Sequence, residues 1–137
     1  MRNVPVSHYS HKIEIKVRDY ECDLQGIVNN AVYHHYLEHA RHEFLNTVGI
    51  NFSSLSERGV DLVLTRAEID YKFPLRSGDC FWVGTNAIQV SKLRFGFLQD
   101  IYRLKDDKLI LQAKMTGTSL SKDGKPIPLK ELEDLAL

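Results

Sequence analysis

Residues 29–49 read NNAVYHHYLEHARHEFLNTVG and predict a long amphipathic helix. At about 100° per residue, the apolar side chains fall within an arc of roughly 160°, which defines one buried face. The members of that face are Val32, Tyr33, Tyr36, Leu37, Ala40, Phe44 and Val48. Asn29 or Asn30 is expected to cap the start of the helix with its side-chain oxygen, and Gly49 is expected to follow its end.

The rest of the chain is dominated by strand patterns. Alternating apolar and polar residues predict a first strand at 11–18, ahead of the long helix. Four further strands are predicted after it, at 60–73, 81–90, 93–103 and 109–120. Ser54 and Glu57 have capping-box spacing, which predicts a short second helix ending near Gly59. A helical turn or two is expected within residues 128–137.

The short turns between the last four strands indicate antiparallel neighbours. We therefore predict a single α+β domain over residues 1–137, with one long helix packed against an antiparallel sheet of about five strands. One helix cannot cover both faces of such a sheet. A second copy of the chain is expected to cover the other face or an edge, which predicts a homodimer or a homotetramer.

Composition and charge argue against several classes of protein. The chain has 137 residues, and its 18 Lys and Arg balance its 18 Asp and Glu, so it lacks the overall positive charge of a nucleic-acid-binding domain. No apolar run reaches the length of a membrane span. The N-terminus lacks the apolar core of a signal peptide, and two distant cysteines do not indicate a disulfide framework. These features predict a cytoplasmic location.

Asp23 and Gly26 come just before the predicted long helix. Free amides at a helix N-terminus, together with the helix dipole, favour an anionic oxygen. A carboxylate beside them is placed to attack an acyl carbonyl, or to activate a water, while the amides hold the developing oxyanion. On the residues alone, the commoner role for such an aspartate is that of a cap or turn residue.

The run DLQGIVNNAVYHHYLEHAR at residues 23–41 resembles the signature of the 4-hydroxybenzoyl-CoA thioesterase family. Members of that family adopt the hot-dog fold and carry an Asp-x-x-Gly-x-Val-x-x-x-x-Tyr stretch at this place. Further matches are RAEIDY at 66–71, the segment 95–103, DGKPIP at 123–128, and Pro74, Gly78 and Asp79. The resemblance spans nearly the whole chain. It implies an acyl-CoA or acyl carrier protein thioesterase that needs no metal and no redox cofactor.

The resemblance also implies roles for individual residues. It assigns the catalytic carboxylate, as nucleophile or general base, to Asp23, and the amide that polarises the thioester carbonyl to Asn30. Many relatives have histidine where Ile27 stands here, and often Tyr or His where Asn30 stands. The implied substrate contacts are Gly26, Ile27, Val28 and Tyr33, and, for CoA at the subunit interface, Ser91, Lys92 and Arg94.

Two other groups of side chains suggest alternative sites. His35, His39 and His42 share one helix face, but that face points away from the apolar arc and HExxH is absent. A solvated polar surface is therefore favoured over a zinc site. A carboxylate beside Cys22 raises the pKa of its thiol, which argues against a nucleophilic cysteine.

Two further functions stay open at this point. Hot-dog hydratases and dehydratases place an Asp–His pair in their active loop, and no histidine stands near Asp23 in sequence. An acyl-thioester-binding module would keep the carboxylate without turnover. Some hot-dog thioesterases use a helix glutamate, but Glu38 lies on the polar side of the predicted helix. Glu68 and Asp70 share one side of a strand, which is usually just its exposed face.

Overall fold

One long helix lies against an antiparallel six-stranded sheet in the computed structural model, which describes residues 8–136. The helices are α1 (Asn30–Thr47), α2 (Phe52–Glu57) and α3 (Lys130–Leu135), with a 3-10 turn at Asp19–Glu21. The strands are β1 (His11–Lys16), β2 (Asp61–Tyr71), β3 (Cys80–Gln89), β4 (Arg94–Arg103), β5 (Lys108–Leu120) and β6 (Pro126–Ile127). Their order is β1-β3-β4-β5-β2, with β6 paired to β5. The predicted α+β architecture is confirmed, and the sixth strand is the short β6.

The helix α1 buries the face that its sequence predicts, with two differences. Arg41 and Leu45 are buried as well, although they lie just outside the predicted arc. Val48 is 43% exposed, because α1 ends at Thr47 and Val48 forms its C-cap. Gly49 follows with a φ of 81°, the left-handed conformation that commonly ends a helix. No helix in the described part of the chain is long and apolar enough to span a membrane.

The predicted N-cap is confirmed in position for α1 and is wrong for α2. Asn29 precedes α1 with an extended backbone, but its side chain makes no capping hydrogen bond. The short helix α2 is capped by Asn51, whose Oδ1 accepts a hydrogen bond of 3.1 Å from the Ser54 amide. Ser54 therefore lies inside α2. Asn is favoured at the N-cap at least as strongly as Ser, and Asn51 takes that position three residues before Ser54.

The two faces of the sheet are covered by different parts of the chain. The helix α1 packs mainly across β3 and β1, with the rings of Tyr36 and Phe81 4.7 Å apart. On the outer face, Tyr9 donates a hydrogen bond of 2.6 Å to Asp100. The side chain of Asn86 bonds there to the backbone just before β1. The chain itself thus covers part of the face that a second copy was expected to cover.

The strand β2 forms one edge of the sheet. Its 11 residues pair only with β5, and in the described part of the chain no strand pairs with its other edge. Leu64 and Tyr71 on β2 are 45% and 46% exposed, and Phe73 just beyond it is 47% exposed. A long edge strand with exposed apolar side chains is a surface on which another chain can pair.

Candidate functional site

Asp23 lies in a tight turn just before α1. Its backbone amide donates to the Ile27 carbonyl at 2.9 Å, and the Gly26 amide donates to the Asp23 carbonyl at 3.0 Å. Gly26 has a φ of 78°, which favours glycine. The Oδ1 atom of Asp23 accepts from the Gln25 amide at 2.8 Å and from the Ile27 amide at 3.4 Å. This is an Asx turn, so the side chain does stabilise the turn.

The same turn leaves the second carboxylate oxygen of Asp23 open. No described residue donates a hydrogen bond to Oδ2, and Asp23 is exposed. Because Oδ1 is held by two backbone amides, the direction in which Oδ2 points is restricted. One oxygen builds the turn while the other is free to accept a proton or to attack an electrophile. A turn role and a chemical role are therefore compatible in this residue.

A cavity of about 250 Å³ opens at the first turn of α1. Its lining residues are Ile27, Val28, Asn30, Tyr33, Tyr71, Lys72, Phe73 and Pro74. Asn30 is the first residue of α1, and the amides of a first helical turn have no partner within the helix. Four of the residues singled out in the sequence thus meet at one cavity. Asp23 and Gly26 do not line it, but Asp23 is bonded to Ile27, which does.

Tyr33 is both a wall of this cavity and an anchor for the loop opposite. Its hydroxyl accepts a hydrogen bond of 2.9 Å from the buried amide of Leu75. Its ring meets the Tyr71 ring edge-on, with centroids 5.6 Å apart. Burial raises the pKa of Tyr33. The Tyr33 side chain therefore packs against Tyr71 and holds the Leu75 loop in place. A packing role is the one favoured by the place of Tyr33 on the apolar arc.

Glu21 braces the loop that carries Asp23, and nothing in the sequence pattern indicated it. Its Oε1 accepts from the Tyr36 hydroxyl and from the Arg18 amide, both at 2.8 Å, and its Oε2 accepts from the Arg18 guanidinium at 2.8 Å. Its own carbonyl accepts from the Asn29 amide at 3.1 Å. Burial by itself raises the pKa of Glu21, but the hydrogen bonds from Arg18 and Tyr36 outweigh it and lower that pKa.

Cys22, next to Asp23, has a raised thiol pKa, as predicted from its neighbours. Burial is the main cause, and the carboxylates of Asp19 and Asp23 add to it. A thiol with a raised pKa carries little thiolate at neutral pH. This environment does not favour a cysteine nucleophile.

The histidines on the polar face of α1 do not form a metal site in the described structure. Among the described residues, no group of three or more His, Cys, Asp or Glu side chains is placed to hold a metal ion. The His42 ring packs against the Phe52 ring at a tilt of 34°, with ring centroids 4.4 Å apart. On β2, Glu68 and Asp70 are exposed, and Glu68 lies 3.5 Å from Arg66.

The turn that holds Ser91, Lys92 and Arg94 lies at the far end of the sheet from Asp23. The β3–β4 hairpin closes beyond the pair Gln89–Phe95, whereas the Asp23 loop follows the end of β1, where Lys16 pairs with Cys80 at the start of β3. The 10 residues of β3 place the two ends about 30 Å apart. All three side chains are exposed. Within one chain, the structure does not bring this turn to Asp23.

Comparison with known proteins identifies the family. The family model described as the thioesterase-like superfamily matches residues 17–134. The chain belongs to this superfamily. The superfamily is broader than the 4-hydroxybenzoyl-CoA thioesterase family to which the motif at residues 23–41 pointed.

Individual members of the superfamily resemble the chain over most of its length. A chloroplastic acyl-acyl carrier protein thioesterase of Arabidopsis thaliana is 44% identical over 116 residues, which cover 85% of this chain and 62% of that protein. The chain thus spans about three-fifths of that relative.

Solved structures share the fold. A hypothetical protein of Aquifex aeolicus is 33% identical with a TM-score of 0.82, over 91% of this chain and 98% of that chain. A 1,4-dihydroxy-2-naphthoyl-CoA thioesterase of Synechocystis is 22% identical with a TM-score of 0.84, over 90% of this chain and 91% of that chain, and this likeness concerns the fold alone. The hot-dog fold predicted from the sequence is confirmed.

Proposed function

We propose that this chain hydrolyses an acyl thioester to a free acid and a thiol, with CoA or acyl carrier protein as the carrier. The observation that carries the proposal is the Asx turn that fixes Asp23 and leaves its Oδ2 open, directly before the free amides of α1. The cavity at Asn30 offers room beside those amides. Membership of the thioesterase-like superfamily supports the reaction type, and the name of the Arabidopsis relative supports the carrier class.

In this mechanism the thioester carbonyl lies at the mouth of the Asn30 cavity. The Asn30 amide donates to the carbonyl oxygen and stabilises the negative charge that develops there. The Oδ2 atom of Asp23 attacks the carbonyl carbon, or takes a proton from a water that attacks it. When water attacks, the carbon–sulfur bond then breaks and releases the free acid directly. When Asp23 attacks, the same bond breaks to leave a mixed anhydride on Asp23, and a water then hydrolyses that anhydride to the free acid and restores the carboxylate. In both cases the leaving thiolate takes up the proton that the attacking water gives up. The carboxylate, the amide and water are sufficient for this chemistry, so no metal or cofactor is required.

The proposed active site includes a second copy of the chain. The turn with Ser91, Lys92 and Arg94 lies at one end of β3, and the Asp23 loop lies near the other end, about 30 Å along the strand. We therefore propose that the CoA bound at Asp23 contacts this turn of a partner chain. The open edge of β2 is a surface on which such a partner can pair. Light scattering at micromolar concentration is expected to give a dimer or tetramer. A 15.8 kDa monomer would contradict this assembly.

A panel of acyl-CoA and acyl carrier protein thioesters tests the reaction and identifies the acyl group. Release of free thiol, followed with a thiol reagent, is expected for at least one aromatic, short-chain or long-chain substrate. Binding of these thioesters without thiol release would instead indicate a binding module. Hydration of an enoyl thioester without thiol release would indicate a hydratase, although no histidine among residues 8–136 lines the Asn30 cavity to supply the Asp–His pair.

A further inference from the structure

Arg41 is a buried cation that the described part of the chain satisfies only in part. The residue is 8% exposed, and its Nη1 donates to Gln99 Oε1 at 3.0 Å. Gln99 is itself fixed, since its amide nitrogen donates to the Leu37 carbonyl at 3.0 Å. No carboxylate of the described residues forms an ion pair with Arg41, and Glu38 acts on it only through space. A guanidinium keeps its charge, and burying it without a paired anion is unfavourable.

The remaining nitrogens of Arg41 face open space. Among the described residues, the only buried side-chain nitrogen or oxygen without a hydrogen-bond partner is Nδ1 of His11. Nε and Nη2 of Arg41 also have no hydrogen-bond partner, yet they are not among these fully buried atoms. They are therefore accessible from a cavity. That cavity has a volume of about 350 Å³ and includes Arg41 in its lining. Its size is within the usual range for small-molecule sites.

The walls of this cavity are mainly apolar. It lies between α1, α2, β2 and β4, and its wall residues include Phe52, Leu62, Phe95 and Phe97. The exposed side chains of Glu38 and His42 complete the lining on the α1 side. A neutral hydrocarbon here would leave the guanidinium without an anion, and a small polar anion would leave the aromatic walls uncovered. The cavity is therefore complementary to a ligand that is both apolar and anionic.

We propose that this cavity binds an apolar chain that ends in a carboxylate, with the carboxylate on Arg41 and the chain against Phe52, Leu62 and Phe97. Arginine pairs with carboxylates through two parallel hydrogen bonds, and Arg41 has two free nitrogens to make them. Arg41 follows Asn30 by about 16 Å along α1, so this is a different place from the cavity at the helix start. The carboxylate comes either from a free acid or from an acyl group with a second carboxyl at its far end.

Isothermal titration calorimetry of the full chain with decanoate and with decanamide tests the proposal. The two ligands share a chain length and differ in charge. Decanoate is expected to bind about tenfold more tightly or better, because hydrogen bonds to a charged partner are the stronger ones. Arg41→Met is expected to abolish that difference, and Arg41→Lys to retain part of it. Arg58→Met, which removes an exposed arginine that pairs with Glu131, is the matched control and is expected to bind like the wild type.

Equal affinity of the wild type for the two ligands would overturn the proposal, and that comparison needs no variant to fold. Absence of decanoate binding together with dissociation of Arg41→Met into monomers would also overturn it, and would place Arg41 at a contact between subunits. Hydrolysis of decanoyl-CoA and of its ω-carboxy counterpart distinguishes the two sources. If kcat/KM is higher for the ω-carboxy substrate and Arg41→Met abolishes that preference, the carboxylate belongs to the acyl group of the substrate. If the two thioesters have equal kcat/KM and decanoate still binds, the ligand is a free acid. The binding result stands even if neither thioester is hydrolysed.

Discussion

The hydroxyl of Tyr36 donates a hydrogen bond of 2.8 Å to Oε1 of Glu21, and this joins the middle of α1 to the loop that leads into Asp23. The carbonyl of Glu21 also accepts from the Asn29 amide, one residue before α1 begins. Glu21 is thus bonded to the helix at two places, while Asp23 lies two residues further along the loop. We therefore expect the position of Asp23 relative to the amides of α1 to depend on this buried glutamate remaining charged.

The first prediction concerns the pH dependence of stability. The pKa of Glu21 is lowered in the folded chain, and its unfolded value is about 4.3. The carboxylate therefore stabilises the fold above about pH 4.3, and that stabilisation is lost as the pH falls through the lower folded pKa. The Glu21→Gln substitution is expected to lower the free energy of unfolding by about 1–3 kcal/mol at pH 7. As the pH falls below about 4.3, the free energy of unfolding should decrease less for this variant than for the wild type. Urea unfolding across the pH range measures both.

Glu57→Gln is the control for this measurement, since Glu57 is exposed at the end of α2. It is expected to follow the wild-type pH dependence. If Glu21→Gln did the same, Glu21 would not be the charged brace of the loop.

Tyr33→Phe separates a bracing role from a proton-donating one. The variant leaves the buried Leu75 amide without its acceptor, which is expected to lower the free energy of unfolding by about 1–3 kcal/mol. The kcat for thioester hydrolysis is expected to stay within a few-fold of wild type, because burial raises the pKa of the Tyr33 hydroxyl and makes it a poor proton donor. Tyr20→Phe, at a side chain 79% exposed, controls for loss of a hydroxyl. A large fall in kcat with unchanged stability would instead make Tyr33 a proton donor.

The elements of this fold could be predicted from the sequence because each has a clear period. The main strands and α1 begin and end within about two residues of the expected positions. The burial of Arg41 could not be predicted in the same way. Arg41 lies about 20° beyond Val48 on the helix projection, next to the apolar arc, so its position indicated burial while its charge indicated exposure. The position decided the outcome, because Gln99 supplies a buried acceptor.

The place of Asp23 could likewise be predicted, but the contacts that hold its loop could not. The hydrogen bond between Glu21 and Tyr36 joins residues 15 positions apart in sequence, and the one between Leu75 and Tyr33 joins residues 42 positions apart. Such pairs have no local pattern, since they depend on how α1 and the loops pack. The open Oδ2 of Asp23 could not be predicted either, because it follows from a turn geometry that brings the Gln25 and Ile27 amides to the same carboxylate oxygen.

A double substitution of Lys92 and Arg94 to alanine tests the proposed carrier contacts. If these cations bind the phosphates of CoA, the contacts are the same in the ground state and the transition state, so KM for acyl-CoA is expected to rise while kcat changes little. Steady-state kinetics measures both. Lys122 and Lys125, exposed in another turn, provide a matched double substitution that should leave KM unchanged. An unchanged KM in the Lys92 and Arg94 variant would place the carrier elsewhere.

Asp23→Asn is the sharpest test of the proposed reaction, because the turn geometry makes it nearly isosteric. The amide oxygen of asparagine can accept from Gln25 and Ile27 as Oδ1 now does, so the Asx turn and the fold are expected to survive. The substitution removes the negative charge and the open carboxylate oxygen. An amide neither attacks a carbonyl nor takes a proton from water at neutral pH. We expect kcat for thioester hydrolysis to fall by about 10²–10⁴.

The control for Asp23→Asn is Asp19→Asn, which makes the same change of charge in the same loop and keeps an acceptor for Ser77. Both variants are expected to melt close to the wild-type temperature, and only Asp23→Asn is expected to lose activity. If Asp23 served the turn alone, asparagine would replace it fully, since Asn and Asp are equivalent there. A folded Asp23→Asn protein with thiol release within a few-fold of wild type would therefore leave Asp23 as a turn residue and exclude it as the catalytic carboxylate.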